Sequence, residues 1–196
     1  MNPEEDMSDH PTKGNIKFVT SNEHKFLELQ EIFRNSGINL EWIRRKYEEI
    51  QGEGTEEISL DSARKITHEI NGRFFLEDTG LYIDALNGFP GPYSSYVAGT
   101  IGNTGILKLI QGLDRSCRFL TVITYFDGHE FFQFDGTLRG SISKEIRGKG
   151  GFGYDPIFIP DGQSITLAEM DIETKSSISH RSLAAQRFIS HLMGSR

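Results

Sequence analysis

The sequence has little cysteine, no long hydrophobic run and fewer basic than acidic residues. Its 196 residues include one cysteine, Cys117, so an internal disulfide is excluded, and the apolar run around it predicts a buried thiol in a reducing compartment. No stretch approaches the roughly 18 uninterrupted apolar residues of a membrane span, and residues 1–14 lack the apolar segment of a signal peptide. We therefore expect a cytoplasmic protein with no membrane partner.

The charge balance and the length narrow the class of protein further. Lys and Arg total 21 against 28 for Asp and Glu, a formal charge of -7, which disfavours a broad footprint on a nucleic-acid backbone. The chain is long enough for one domain with a substantial core. Residues 1–14 carry two prolines, four acids and almost no apolar side chain, so they predict a disordered acidic tail before a single domain over 15–196.

The alternation of elements predicts an α/β fold. Strands are expected at 16–20, at 39–43, at the apolar run 74–76 and over 117–142, where Asp127 and Gly128 mark a hairpin turn. Helices are expected over 56–70, over 103–113 and after residue 182.

The first strand leads directly into a helix. Residues 16–20, IKFVT, are followed by SNEHKFLELQEIFRNSG, in which apolar residues recur at helical spacing. Ser21 or Asn22 can cap this helix, and Gly37 can end it. A helix N-terminus presents unpaired N–H groups and a partial positive charge, and Lys25 adds a full charge, so phosphate is the expected ligand. The turn lacks the GxxxxGK[ST] pattern, and an ordinary surface lysine remains an alternative.

Two carboxylates close the apolar run 74–76 and precede a loop rich in glycine and proline, in EDTGLYIDALNGFPGPYSSY (77–96). Because successive strand residues face opposite sides, only one of Glu77 and Asp78 can face a given cleft. Ligands gather beyond the carboxyl ends of strands in open α/β sheets, so we expect Asp78 to bind a metal there. A solvated turn is the alternative.

A glycine-rich segment, RGKGGFGYDP (147–156), holds Phe152, Tyr154 and Asp155. A site that stacks a flat ring and bonds its edge uses such residues, although the aromatic rings could instead anchor the loop to the core. Further on, Lys175, His180 and Arg181 precede a helix that Ser179 or Ser182 can cap. These donors are suited to bind phosphate or the carbonyl oxygens of a base. The alternative for His180 is an ordinary surface residue.

The order of these motifs, TSNxxK, EIQGE, EDTG, GFPGPYSSY, GFGYDP and SHR, resembles the inosine triphosphate pyrophosphatase family from about Ile16 to the final helix. The resemblance implies an elongated mixed β-sheet flanked by helices, two lobes with a nucleotide cleft between them, and a homodimer. It implies Mg²⁺-dependent hydrolysis of ITP, dITP and XTP to the monophosphate and pyrophosphate. It places Glu49 and Asp78 at the metal. Because in-line attack needs an activated water, Asp78 is the candidate catalytic residue, with Glu77 as its helper, and the sequence leaves open which acid is the general base. The substrate-binding residues that it implies are Thr20, Ser21, Asn22, Lys25, Thr79, Phe152, Gly153, Tyr154, Asp155, Lys175, His180 and Arg181.

Some residues depart from the family pattern. Ser62 and Ser95 stand where human-type enzymes carry lysines that contact the ligand, Ser21 stands where glycine is frequent, and Ser176 where asparagine is frequent. These differences put secondary phosphate contacts in doubt. A relative that acts on modified pyrimidine nucleotides and a purine nucleotide sensor without catalysis remain alternatives.

Overall fold

The computed structural model describes residues 15–47, 50, 52 and 54–194, and there it has one mixed sheet of seven strands and six α-helices, an α/β fold as predicted. The strands are β1 (Ile16–Val19), β2 (Leu40–Ile43), β3 (Phe74–Ile83), β4 (Pro90–Gly91), β5 (Ser116–Phe126), β6 (Phe131–Ile142) and β7 (Phe158–Pro160). The helices are α1 (Glu23–Asn35), α2 (Thr55–Ile66), α3 (Ser94–Thr100), α4 (Gly102–Leu109), α5 (Ile172–Ile178) and α6 (His180–Leu192).

The sheet joins a short parallel part to a long antiparallel part. Its order is β2-β1-β3-β5-β6-β7, and β4 pairs with β3 outside this path. Strand β1 runs parallel to β2 and β3, whereas the pairs β3–β5, β5–β6 and β6–β7 are antiparallel. Only Lys17 and Phe18 of β1 pair with β3, so β3 extends well past the end of β1.

Strand β3 corrects the prediction that the strand ends at Glu77 and Asp78. It continues to Ile83, because β5 pairs with it along its whole length, from Phe74 opposite Phe126 to Ile83 opposite Cys117. The two acids therefore lie in the middle of a strand. The short apolar run 74–76 could not predict the length of β3, because that length depends on β5, which comes about 40 residues later in the chain.

The first helix agrees with its sequence signals. The side chain of Asn22 accepts a hydrogen bond from the N–H of Lys25 at 3.3 Å, which makes Asn22 the N-cap. The helix ends at Asn35, and Gly37 has φ +74°, the left-handed conformation expected after a helix. Helix α2 is shorter than predicted, and α3 already begins at Ser94, within the stretch interpreted as a loop.

Buried apolar residues form separate clusters along the sheet. One includes Phe75 and packs beneath α1 and α6, and another includes Leu81 and packs against α3, α4 and β7. On β3 the polar residues 77–79 lie between these two clusters, so the sheet carries a polar segment between two apolar ones. The division into two lobes stays a prediction.

Gly136 on β6 lets α6 approach the sheet closely. A Cβ at this position would lie 2.1 Å from the backbone oxygen of His180 and 2.5 Å from the backbone nitrogen of Ala184. Because real Cβ atoms do not come so close to backbone atoms, a glycine is required for the observed packing. The contact fixes the start of α6 over the sheet.

Over the same described ranges, no helix is long and apolar enough to cross a membrane. The acidic tail predicted for residues 1–14 lies outside them.

Candidate active site

A cavity of about 1010 Å³ opens over the polar segment of the sheet. It is bounded by the turn between β1 and α1, the middle of β3, the loop before β7 and the start of α6. Of the residues predicted for the site, Glu49 lies outside the described residues, and nearly all of the others line the cavity. The predicted residues that line it are Thr20, Ser21, Asn22, Lys25, Asp78, Thr79, Phe152, Gly153, Tyr154, Asp155, His180 and Arg181.

The turn between β1 and α1 is held by backbone and side-chain hydrogen bonds. The N–H of Thr20 donates to the carbonyl of Ile43 on β2 at 3.1 Å, and the hydroxyl of Thr20 accepts from the N–H of Asn22 at 3.1 Å. Asn22 and Lys25, at the start of α1, line the cavity, so the positive end of this helix dipole lies at the cavity wall. Lys25 lies on this turn, and its Nζ is 2.9 Å from Oε2 of Glu77.

The two acids of β3 face different environments, as strand alternation predicts. The side chain of Glu77 is fully buried, whereas Asp78 lines the cavity with 8% of its surface exposed. Glu77 is close to Lys25 because β1 ends beside the middle of β3. The acids thus lie at the carboxyl end of β1 and not, as we expected, at that of their own strand.

Glu77 is the centre of a buried polar network beneath the cavity. Its Oε1 is 3.3 Å from Nε of Arg181 and accepts from the hydroxyl of Thr121 at 3.3 Å, and the hydroxyl of Thr79 also donates to it. Burial alone would raise the pKa of Glu77, but the charges of Arg181 and Lys25 outweigh it and lower this pKa to about 2. Glu77 is therefore an anion that holds two cations in place.

Glu28 is a residue of the site that sequence reasoning missed. From α1 it reaches Nζ of Lys175 at 2.6 Å and Nη1 of Arg181 at 2.5 Å. Burial would raise the pKa of Glu28, but the charges of Arg181 and Lys175 lower it. The available signal was its spacing of three residues from Lys25, which places both side chains on one helix face.

Lys175 does not line the cavity. It is 7% exposed and pairs with Asp155 at 2.8 Å as well as with Glu28. Asp155 also accepts from the N–H of Phe152 at 2.8 Å, which closes the glycine-rich loop, and burial raises the pKa of Asp155 despite the charge of Lys175. Lys175 and Asp155 thus hold the loop against α1 and α5.

The two aromatic residues of the loop behave differently. The ring of Phe152 stacks on His24 with centroids 5.2 Å apart, and Arg181 lies 5.3 Å from its centroid. Tyr154 is buried, and its hydroxyl donates to the carbonyl of Ser94 at 2.9 Å. Tyr154 therefore anchors the loop to α3, the alternative that we considered for the aromatic residues, whereas Phe152 presents a ring at the cavity.

His180 is buried and not a surface residue. Its Nδ1 lies 2.6 Å from the hydroxyl of Thr121, and its ring is 4.5 Å from that of Phe119. Burial, followed by the neighbouring charge of Arg181, lowers its pKa well below the ordinary value. His180 is therefore a neutral imidazole at physiological pH, and Ser179 caps the helix that it begins.

Asp78 fits a magnesium ion bound together with a substrate. Mg²⁺ is usually held by one or two carboxylates and by substrate phosphates, with water completing the coordination. Asp78 supplies one carboxylate at the cavity, near the helix N-terminus suited to phosphate. Within the part of the chain that the structure describes, no group of three or more His, Cys, Asp or Glu could hold a metal by itself.

Four further residues of the cavity, Pro92, Ser94, Ser95 and Tyr96, belong to the GFPGPYSSY motif. The remaining ones carried no distinctive pattern in the sequence, and their signal was only their place after β2, on α3 or on β5. They are Lys46, Tyr47, Ala98 and Phe119.

The fold and the cavity define an α/β protein with a helix N-terminus, a strand carboxylate and an aromatic loop around one pocket. The chain matches the Ham1 family over residues 16–191 and belongs to that family, which confirms the resemblance read from the sequence.

Named relatives and solved structures agree with this membership. The dITP/XTP pyrophosphatase of Saccharolobus solfataricus is 46% identical over 178 residues, 90% of this chain and 93% of its own. That of Thermococcus kodakarensis is also 46% identical, over 90% of this chain and 96% of its own. The HAM1 protein from Coxiella burnetii has a TM-score of 0.79 at 30% identity and covers 91% of this chain and 99% of its own.

Proposed function

We propose that this protein hydrolyses the non-canonical purine nucleoside triphosphates ITP, dITP and XTP to the monophosphate and pyrophosphate. The observation that carries the proposal is one cavity that joins a phosphate-type helix N-terminus, a carboxylate and an aromatic ring with polar neighbours. Relatives that share 46% of their residues with this chain are named dITP/XTP pyrophosphatases.

The triphosphate binds at the turn between β1 and α1. Thr20, Ser21 and Asn22 surround the first N–H groups of α1, and Lys25 lies on the same turn. These groups attract an anion through the helix dipole and through the positive charge of Lys25. Thr79, beside Asp78 on β3, adds a hydroxyl to the cavity wall.

Mg²⁺ would be held by Asp78, by Glu49, which the family resemblance assigns to the metal, and by phosphate oxygens of the substrate. When bound, Mg²⁺ neutralises phosphate charge and polarises the phosphoryl oxygens. The carboxylate of Asp78 orients the attacking water and accepts its proton, with Glu77 supporting it through Thr79. In-line attack then depends mainly on the positions of the water and the phosphate.

The purine base of the substrate binds at another part of the cavity, formed by the glycine-rich loop and the start of α6. Phe152 offers a ring face for stacking, Gly153 leaves space beside it, and Tyr154, Asp155 and Lys175 hold the loop. His180 and Arg181 provide N–H donors for the oxygen at purine position 6, which adenine replaces with an amino group. ATP is therefore rejected, because the amino group of adenine is a donor and would face the N–H donors of His180 and Arg181.

The decisive experiment is a pyrophosphate-release panel with Mg²⁺ over ITP, dITP, XTP, ATP, GTP and a pyrimidine triphosphate. We expect the first three to be hydrolysed much faster than the others. Equal rates on all of them would refute the purine specificity, and preference for the pyrimidine would favour the alternative substrate class. Tight binding of ITP without pyrophosphate release would identify a sensor.

We further propose that the protein acts in the cytoplasm as a homodimer. Light scattering on the purified protein tests the assembly, and the expected mass is twice that of the chain. A mass equal to one chain at micromolar concentration would refute the dimer.

A further inference from the structure

The cations of the cavity differ in whether their charge is already balanced. Lys25 pairs with Glu77 at 2.9 Å, and Arg181 pairs with both Glu77 and Glu28. The negative charges of Glu28 and Glu77 offset these positive charges, so Lys25 and Arg181 add little net charge for a polyanion. Lys46 also lines the cavity, and none of the residues that the structure describes forms an ion pair with it.

The backbone fixes Lys46 beside the phosphate turn. The preceding residue, Arg45, donates its N–H to the carbonyl of Thr20 at 3.4 Å, and the next one, Tyr47, reaches the carbonyl of Glu77 through its hydroxyl at 3.5 Å. The Nζ of Lys25 donates to this same carbonyl at 3.1 Å. The residue before Lys46 therefore bonds to the turn at Thr20, and the residue after it shares the Glu77 carbonyl with Lys25.

Lys46 is exposed, whereas Arg181, which also lines the cavity, is buried. An exposed lysine keeps its rotameric freedom and can follow a ligand, whereas the buried guanidinium is fixed by its carboxylates. Ser95, another residue of the cavity, offers no charge. Lys46 is thus the described cavity residue best able to give a new positive charge to an incoming anion.

From this geometry we propose that Lys46 binds the phosphate chain of the substrate and supplies a positive charge that no acid among the described residues balances. The inference rests on the proposed function, because it assigns a further residue to the same triphosphate. Lys46 acts by direct attraction, so its effect depends on charge and falls with ionic strength.

The test measures binding of Mg²⁺-tripolyphosphate by calorimetry to the full chain and to three variants. We expect Lys46→Ala to weaken binding about fivefold at low salt, the upper range for an exposed ion pair, and Lys46→Arg to stay within about twofold. The loss should shrink as salt is added. Lys108→Ala, an exposed lysine on α4 outside the cavity lining, removes the same charge and should bind as the unchanged protein does.

Equal affinities for Lys46→Ala and the unchanged protein would overturn the inference, as would equal losses in Lys46→Ala and Lys108→Ala. Failure of the unchanged protein to bind tripolyphosphate would overturn it too. Hydrolysis of ITP is measured on the same samples to separate the two proposals. If the unchanged protein releases pyrophosphate and Lys46→Ala binds normally, only the role of Lys46 fails, whereas binding without pyrophosphate release contradicts the proposed function alone.

Discussion

Replacing Glu77 with glutamine should destabilise the fold far more than the small chemical change suggests. The substitution keeps the shape of the side chain but removes a buried negative charge that lies beside Lys25 and Arg181. Because Arg181 is 2% exposed, its charge cannot be solvated by water in exchange. Lys25 and Arg181 both lose a carboxylate partner, and Arg181 keeps its ion pair with Glu28. Leaving a buried cation with less compensation is the situation in which breaking a buried pair is most unfavourable.

The pKa of Glu77 gives the magnitude. It is about 2 in the folded protein against an ordinary 4.5. The difference corresponds to roughly 3 kcal/mol in the free energy of unfolding, close to the 3–5 kcal/mol typical of a buried pair with one partner removed. Since the folded pKa is depressed, this stabilisation is complete above about pH 4.5 and is lost as the pH falls towards 2.

Urea unfolding followed by circular dichroism measures this effect. At pH 7 we expect Glu77→Gln to lose about 3 kcal/mol, and the gap to the unchanged protein should narrow between pH 4.5 and about 2. Glu41→Gln, at an exposed position on β2, is the matched control and should change stability by less than about 0.5 kcal/mol. A Glu77→Gln protein as stable as this control at pH 7, or a gap that does not vary with pH, would refute the reasoning.

Two further predictions concern the strand acid and the packing of α6. Asp78→Asn should reduce pyrophosphate release from ITP by at least about 100-fold, the usual range for a lost acid–base group, while urea unfolding stays cooperative. Near-full activity would show that Asp78 is not catalytic. Gly136→Ala should destabilise the fold by about 2 kcal/mol or more, because its Cβ meets the backbone of α6 at 2.1 Å, whereas Gly99→Ala, with nothing within 4 Å, should not. Equal melting temperatures for the two alanine variants would contradict the close contact.

Local patterns determined the elements at the start of the chain. The cap at Asn22 and the end of α1 near Gly37 depend on interactions within a few residues, and both agree with the structure. The hairpin at Asp127 and Gly128 follows the same rule, since the N–H of Asp127 bonds to the carbonyl of Glu130. The order of the short motifs along the chain also identified the family, although no single motif did so alone.

Long-range pairing determined the site. That β3 continues past Asp78 depends on β5, and that Glu28 meets Arg181 depends on α1 and α6 packing together across 153 residues of chain. No local pattern contains such partners. The burial of His180, and with it its neutral state, likewise follows from α6 lying on Gly136.

The sequence by itself determined which residue types were available: a capped helix start with Lys25, two adjacent strand acids, an aromatic glycine-rich loop and a basic segment before the last helix. Alternation along a strand even separated the acids, since Asp78 lines the cavity and Glu77 is buried beneath it. Only the tertiary structure decided which cations are already paired, because ion pairs join residues from distant elements. That pairing leaves Arg181 fixed by Glu28 and Glu77 and Lys46 exposed at the cavity.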